Sequence, residues 1–247
     1  MKYSLLKYYW LIILVVSTGL LLNEAFAASQ EQAQWTLWRN NEQLKVSYRN
    51  IRRPQLSSKT KLLEIKASAY VSSSISGFLL FIQDIDNISA WLDNADKGQL
   101  INQFSENKNQ FYIHFAGLWP IKPRLLVLRS HYWQKPDLSV EIKLTDDNDF
   151  QNNNIQAPYS DAIRIHIHRA HWRISPQLSI DNQQTLFIEY QFIADAGGKV
   201  PQWLANHFAL KSIWQTMENI TRLLPSSQWQ QHTITGIEEI TPEPTSP

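Results

Sequence analysis

The sequence predicts an α+β domain in which a curved antiparallel sheet of about nine strands wraps around one long C-terminal helix. Three observations predict it. Between residues 35 and 193, short runs of alternating apolar and polar residues recur at the close spacing of antiparallel neighbours. Over 201–224, Trp203, Leu204, Phe208, Leu210, Ile213, Trp214, Met217, Ile220, Leu223 and Leu224 return at three- and four-residue steps with polar residues between them. Joining the two patterns is Asp195-Ala-Gly-Gly-Lys-Val-Pro201, where paired glycines permit a sharp turn and Pro201 suits the first turn of a helix. A helix over 201–224 is roughly 36 Å long, and Pro225 stops it. It needs a broad apolar surface to lie on, and the preceding chain supplies little but strands.

The strands and turns follow in order. Residues 35–39 and 44–49 form a hairpin around Asn40-Asn41, and 61–69 add a third strand. Ser72, Ser73 and Ser74 are N-caps for a short helix ending near Asp84, with Ile75, Phe78, Leu79, Ile82 and Ile85 along one face. Asp86-Asn87 caps a further turn carrying Trp91, and residues 93–98 break the chain. Strand patterns return at 99–104, 110–118, 124–133 and 138–145. A polar loop spans 146–160, and strands at 163–169 and 185–193 complete the sheet. The segment 226–247 turns polar and reads as a disordered C-terminal tail.

Composition narrows the function. Lys2 and Lys7 precede an apolar run over 8–22, and Ala25-Phe26-Ala27 offers small residues at the positions a signal peptidase reads. Residues 1–27 are therefore expected to be a cleaved signal peptide and 28–33 a linker, which makes the protein periplasmic or secreted. The run is shorter than the ~20 residues of a membrane span. With no cysteine, neither a disulfide nor a cysteine-linked lipid anchor is available, so stability must come from the core. A formal net charge of +1 without a long basic run argues against nucleic acid.

Four patterns, in order, resemble the StAR-related lipid-transfer (START) domain in its bacterial form. They are Trp35-x-Leu37 with Val46-x-Tyr48-x-x-x-Arg52; the helix over 71–84 followed by Trp91; Trp119-Pro-Ile-Lys-Pro-Arg124; and Arg164 through Trp172-x-x-x-Pro176 with Asp195-x-Gly-Gly-x-Val-Pro-x-Trp-Leu-x-Asn206. The resemblance covers 34–225. It implies a helix-grip fold whose sheet encloses an apolar tunnel for one lipid-like molecule, with the last helix and the loop 118–123 as lid. One departure stands out: the acidic residue that usually follows the arginine of the third motif is here Leu125.

Candidate ligand contacts are Trp91 and, along the terminal helix, Trp203, Asn206, His207, Leu210 and Trp214, of which Trp203 at the helix start is the leading one. Arg124 and Arg164 each need a partner if their strand faces turn inward: a ligand phosphate or carboxylate, or a carboxylate such as Asp161, Glu189 or Glu141. His166 and His168 share a face with Arg164, and His114 is a further polar candidate. The His-x-His pair lacks a defined third ligand, so neither a metal nor a cofactor is expected. No nucleophile elbow and no cysteine are present. The leading expectation is a non-enzymatic, monomeric lipid carrier that touches membranes through Trp119 and Lys122. The alternatives are a helix-grip enzyme using His114, His166 or Arg124, and an envelope interaction domain with a closed cavity.

Overall fold

The computed structural model describes residues 34–51, 62–117, 122–151, 155, 159–179 and 181–241. The expected signal peptide, linker and Trp119 lie outside the described residues. Among those described, the elements run β1 (Thr36–Asn40), β2 (Leu44–Ile51), β3 (Leu62–Val71), α1 (Ile75–Gln83), a 3-10 turn (Ile85–Ala90), β4 (Ala95–Ser105), β5 (Lys108–Phe115), β6 (Arg124–Gln134), β7 (Val140–Asp146), β8 (Ile163–Arg164), β9 (His166–Leu178), β10 (Gln184–Asp195) and α2 (Gln202–Leu223). The sheet order is β1-β2-β3-β10-β9-β7-β6-β5-β4, antiparallel throughout, with the two-residue β8 added parallel to the start of β6. This is the expected helix-gripping α+β architecture.

Register shifts supply the curvature. They interrupt β1 against β2 at Leu37/Arg39, β4 against β5 at three places, and β10 against β9 at Ile193/Ala194. Each such irregularity bends and twists the strand that carries it. The concave face collects Leu63, Ile65, Phe111, Ile113, Leu126, Leu128, Trp172 and Ile174 with the buried sides of α1 and α2. On the convex face, buried carboxylates bind strand to strand. Glu64 of β3 accepts from Arg49 of β2 at 2.6 Å and from Gln191 of β10, and pairs with Arg169 of β9. Glu141 of β7 pairs with Lys135 and with His171 of β9.

Strand boundaries differ from the sequence reading most at β4 and β9. β4 begins at Ala95, inside the expected break. Gly98 lies in the strand because a Cβ there would come within 2.4 Å of the Ile85 carbonyl oxygen, so the glycine serves close packing. β9 runs on through Pro176 to Leu178. Its pairing with β7 ends at Ile174, so only β10 flanks the proline, which has no N–H to offer a second neighbour.

A larger correction concerns the C-terminal segment. Residues 224–241 are packed onto α1, so the expectation of a disordered tail over 226–247 does not hold for 226–241. Apolar Trp229, Ile234 and Ile237 lie against the main core. The Glu239 carboxylate accepts from the backbone N–H groups of Ile75 and Ser76, both at 2.8 Å, while the Ser74 hydroxyl accepts from Gly77 N–H at 3.0 Å. The first-turn donors of α1 are thus satisfied, and a negative charge sits at the positive end of the helix. Gln230 bonds Ser73 and the Leu224 carbonyl. Glycine at position 77 leaves room for it in this place, since a Cβ there would come within 2.7 Å of the Gln230 amide. At the other end of α1 the Trp229 indole donates to Asp84 at 3.2 Å.

Glu239→Ala should lower the unfolding free energy by ~1–2 kcal/mol, the usual worth of an N-cap with a favourable charge, as measured by urea denaturation. An unchanged midpoint would mean that the tail rests on α1 without stabilising it.

Candidate functional site

The inward stripe of α2 explains why space remains beneath it. Positions 205, 209, 212 and 216, spaced by four, three and four residues, carry Ala, Ala, Ser and Thr, and all four line a cavity between the helix and the sheet. The neighbouring rows hold the bulky buried residues Leu210, Trp214, Met217 and Ile220, which pack the helix into the core. Ser212 donates to the Asp93 carbonyl at 3.4 Å, Thr216 accepts from Asp93 N–H at 3.1 Å, and Asn219 donates to the Trp91 carbonyl at 3.2 Å. These bonds hold the segment from Trp91 to Asn94 against the helix as part of the cavity wall.

The cavity measures about 330 Å³, at the lower end of the range for small-molecule sites. Its wall is mostly apolar: Leu63 and Ile65 from β3, Phe111, Ile113 and Phe115 from β5, Leu126 and Leu128 from β6, and Tyr190 and Phe192 from β10. Among the described residues no histidine, aspartate or glutamate lines it. Its charged lining residues are Arg124 at the start of β6 and Lys122 just before it. Ala194, Ala196, Val200, Gln202 and Asn206 also border this end. At the opposite end of β6 and β5 the wall carries Ser130, Tyr132 and Asn109.

Arg124 is 6% exposed and, among the described residues, donates only to carbonyls: Nε to Ala196 at 2.8 Å, Nη1 to Lys122 at 2.8 Å and Pro123 at 3.5 Å, and Nη2 to Gly197 at 3.4 Å. It therefore ties the segment before β6 to the turn before α2. Burial alone pulls its pKa below the ordinary arginine value. Burial also raises the phenols of Tyr190 and Tyr132, further above physiological pH than an ordinary phenol. Tyr190 stacks between Trp172 and Phe192, with ring centroids at 4.2 and 5.1 Å.

Of the ten residues proposed from sequence, Trp91, Arg124 and Asn206 line the cavity. Trp91 is buried against Phe81, and its indole N–H has no acceptor among the described residues. Asn206 accepts from Gln202 at 2.8 Å. The other seven do not line it. Trp203 and His207 face solvent, Trp203 with 71% of its surface exposed. Leu210 belongs to the core, and Trp214 is held between Trp38 and the Arg39 guanidinium. His114 lies on the convex face against Tyr159, 2.5 Å from Asp96. Arg164 and His166 both pair with Asp146, at 3.2 and 2.9 Å. No three His, Asp or Glu side chains among the described residues are grouped to hold a metal.

Sequence reasoning passed over Asn109, Ser130 and Tyr132, although each interrupts or ends an apolar strand face (Phe111, Ile113, Phe115; Leu126, Leu128). That interruption was the available signal. Lys122 was placed on the loop for membrane contact, yet it also lines the cavity.

A curved antiparallel sheet closed by a terminal helix over an apolar hollow is the helix-grip architecture, and the chain has the fold of START domains. No protein-family model matches the chain, and no curated protein matches its sequence. Solved structures do. A STAR-related lipid transfer protein of Xanthomonas axonopodis superposes with a TM-score of 0.61 at 20% identity, over 77% of this chain and 98% of that one. Human STARD10 gives 0.61 at 17% identity over 84% and 80%, and human StAR-related lipid transfer protein 5 gives 0.60 at 14% over 84% and 94%. At these identities the likeness is one of fold.

Gly197 has φ 65°, and a Cβ there would lie 2.4 Å from the Arg164 carbonyl oxygen. Gly236 has φ 81° with nothing within 4 Å. In thermal denaturation Gly197→Ala should therefore cost ~2 kcal/mol or more, from strain plus collision, and Gly236→Ala about 1 kcal/mol, from strain alone. Equal losses would remove the close approach as the reason for glycine at 197.

Proposed function

We propose that the protein is an exported, monomeric carrier that binds one lipid-like molecule in the cavity beneath α2 and does no chemistry on it. The observation that carries this reading is the apolar cavity of about 330 Å³ left by the small-residue stripe of α2. Removing apolar surface from water at ~25 cal/mol per Å² suffices to retain a hydrocarbon chain without a covalent step. The START fold supports the reading, since the similar Xanthomonas and human structures are described as lipid transfer proteins. The wall supports a carrier over a hydrolase or cyclase. Among the described residues it presents no histidine or carboxylate to move a proton, and burial pushes its two phenols further from ionisation. Export rests on the basic start, the apolar run and Ala25-Phe26-Ala27.

Membrane contact is proposed through Trp119 and Lys122, joined by Trp203, which is exposed in the first turn of the helix that borders the cavity. An indole in that position settles at the headgroup level of a bilayer.

Native mass spectrometry of the purified chain, incubated with a bacterial lipid extract, should show one bound lipid per chain. Ala209→Trp fills the cavity from the helix side and should abolish that adduct, while stability changes by less than ~3 kcal/mol. A chain that binds no lipid, or a filled variant that binds as well as the original, overturns the carrier reading. Trp203→Ala should slow lipid transfer between vesicles and leave equilibrium lipid binding unchanged.

A further inference from the structure

Resting on the carrier reading, we infer that the cavity selects an anionic amphiphile, with one carboxylate or phosphate headgroup against Arg124 and Lys122 and an apolar tail along β5, β6 and β10. The contrast with the other buried charges carries the inference. Glu64, Glu141, Asp147 and Arg124 are all buried. Glu64 pairs with Arg49 and Arg169, Glu141 with Lys135, His171 and Arg173, and Asp147 with Arg129 at 3.0 Å. Arg124 is the exception: among the described residues its partners are four carbonyl oxygens and no carboxylate.

Carbonyl dipoles orient a guanidinium but leave its charge uncompensated, and a buried cation without a counter-ion is costly. Nη2 is also incompletely used, since its one acceptor, the Gly197 carbonyl, stands at 3.4 Å. Arg124 lines the cavity, the other charged lining residue is Lys122, and no acid among the described lining residues opposes either. A headgroup oxygen at this end would supply the missing anion and meet an arginine fork suited to carboxylate or phosphate. Leu125 is consistent with this: it is fully buried in the small convex-face cluster with Tyr112 and Val127 and brings no acid to the neighbourhood of Arg124. Beyond the cationic end the wall turns to Phe115, Ile113, Phe111, Leu126 and Leu128, which suits a hydrocarbon tail.

The test titrates the full-length, lipid-free chain with palmitate, hexadecyl phosphate and methyl palmitate, read through tryptophan fluorescence because Trp91 and Trp172 line the cavity. The two anions should bind about ten-fold or more tighter than the ester, each ten-fold being ~1.4 kcal/mol. Arg124→Met should remove that preference by weakening the anions alone, and Arg124→Lys should restore part of it. If all three probes bind equally to the unaltered chain, the anionic assignment is overturned and the carrier reading stands. If none binds, both fall. Should Arg124→Met not fold, Arg124→Lys decides: it should show a reduced preference for the two anions, and a preference left at full strength overturns the assignment.

Discussion

The structure depends on how α2 is packed: tightly along its flanks and loosely along its middle. Leu210, Trp214, Met217 and Ile220 anchor the helix in the core, while Ala205, Ala209, Ser212 and Thr216 keep their row short. Because interiors are otherwise close-packed, a row of small side chains between two large ones leaves a void that the rigid neighbours cannot collapse into. Ser212, Thr216 and Asn219 add a second constraint by bonding the chain around Trp91 and Asp93. The helix is thus fixed at a set height above the sheet without its centre being filled.

Charge is divided between the two faces of the sheet in a way that serves the same end. The convex face uses buried carboxylates as junctions, with Glu64 joining side chains from β2, β9 and β10. A sheet bent by register shifts at β1, β4 and β10 gains from such ties, because the side chains hold strands where the ladder is irregular. The concave face carries almost no charge and spends its aromatic area on the stack of Trp172, Tyr190 and Phe192. Arg124 departs from this division, and it sits where the segment before β6 meets the glycine turn.

Much of the fold was legible because period-2 and period-3.6 patterns report burial directly: the strands, both helices, the Ser74 cap and the glycine turn all follow from local chemistry. The tail was misread because its polar residues looked like solvated chain. Glu239 and Gln230 act as caps for a helix some 160 positions earlier in the sequence, and that relation has no local signature. The cavity lining was hard to read for a different reason. Large aromatic residues such as Trp203 and Trp214 attract notice, yet a hollow is encoded by what is small, and Ala205 and Ala209 look unremarkable in a helical pattern. Histidine positions were hard to place because strand parity could not be tied to a face: His114 is one residue out of phase with the cavity-lining Ile113 and Phe115, and so points outward.

The C-terminal clasp on α1 bears on how the rod above the sheet can travel. Its trailing end continues directly into the segment held by Asp84, Ser73 and the start of α1, whereas its leading end follows two glycines and is capped by no side chain. Displacement at the trailing end would have to break those bonds, whereas at the leading end it is the turn before the rod that is tied to the sheet, through the Arg124 bonds to Ala196 and Gly197. Any tilt of the rod away from the sheet would therefore begin at its leading end and hinge at its trailing one.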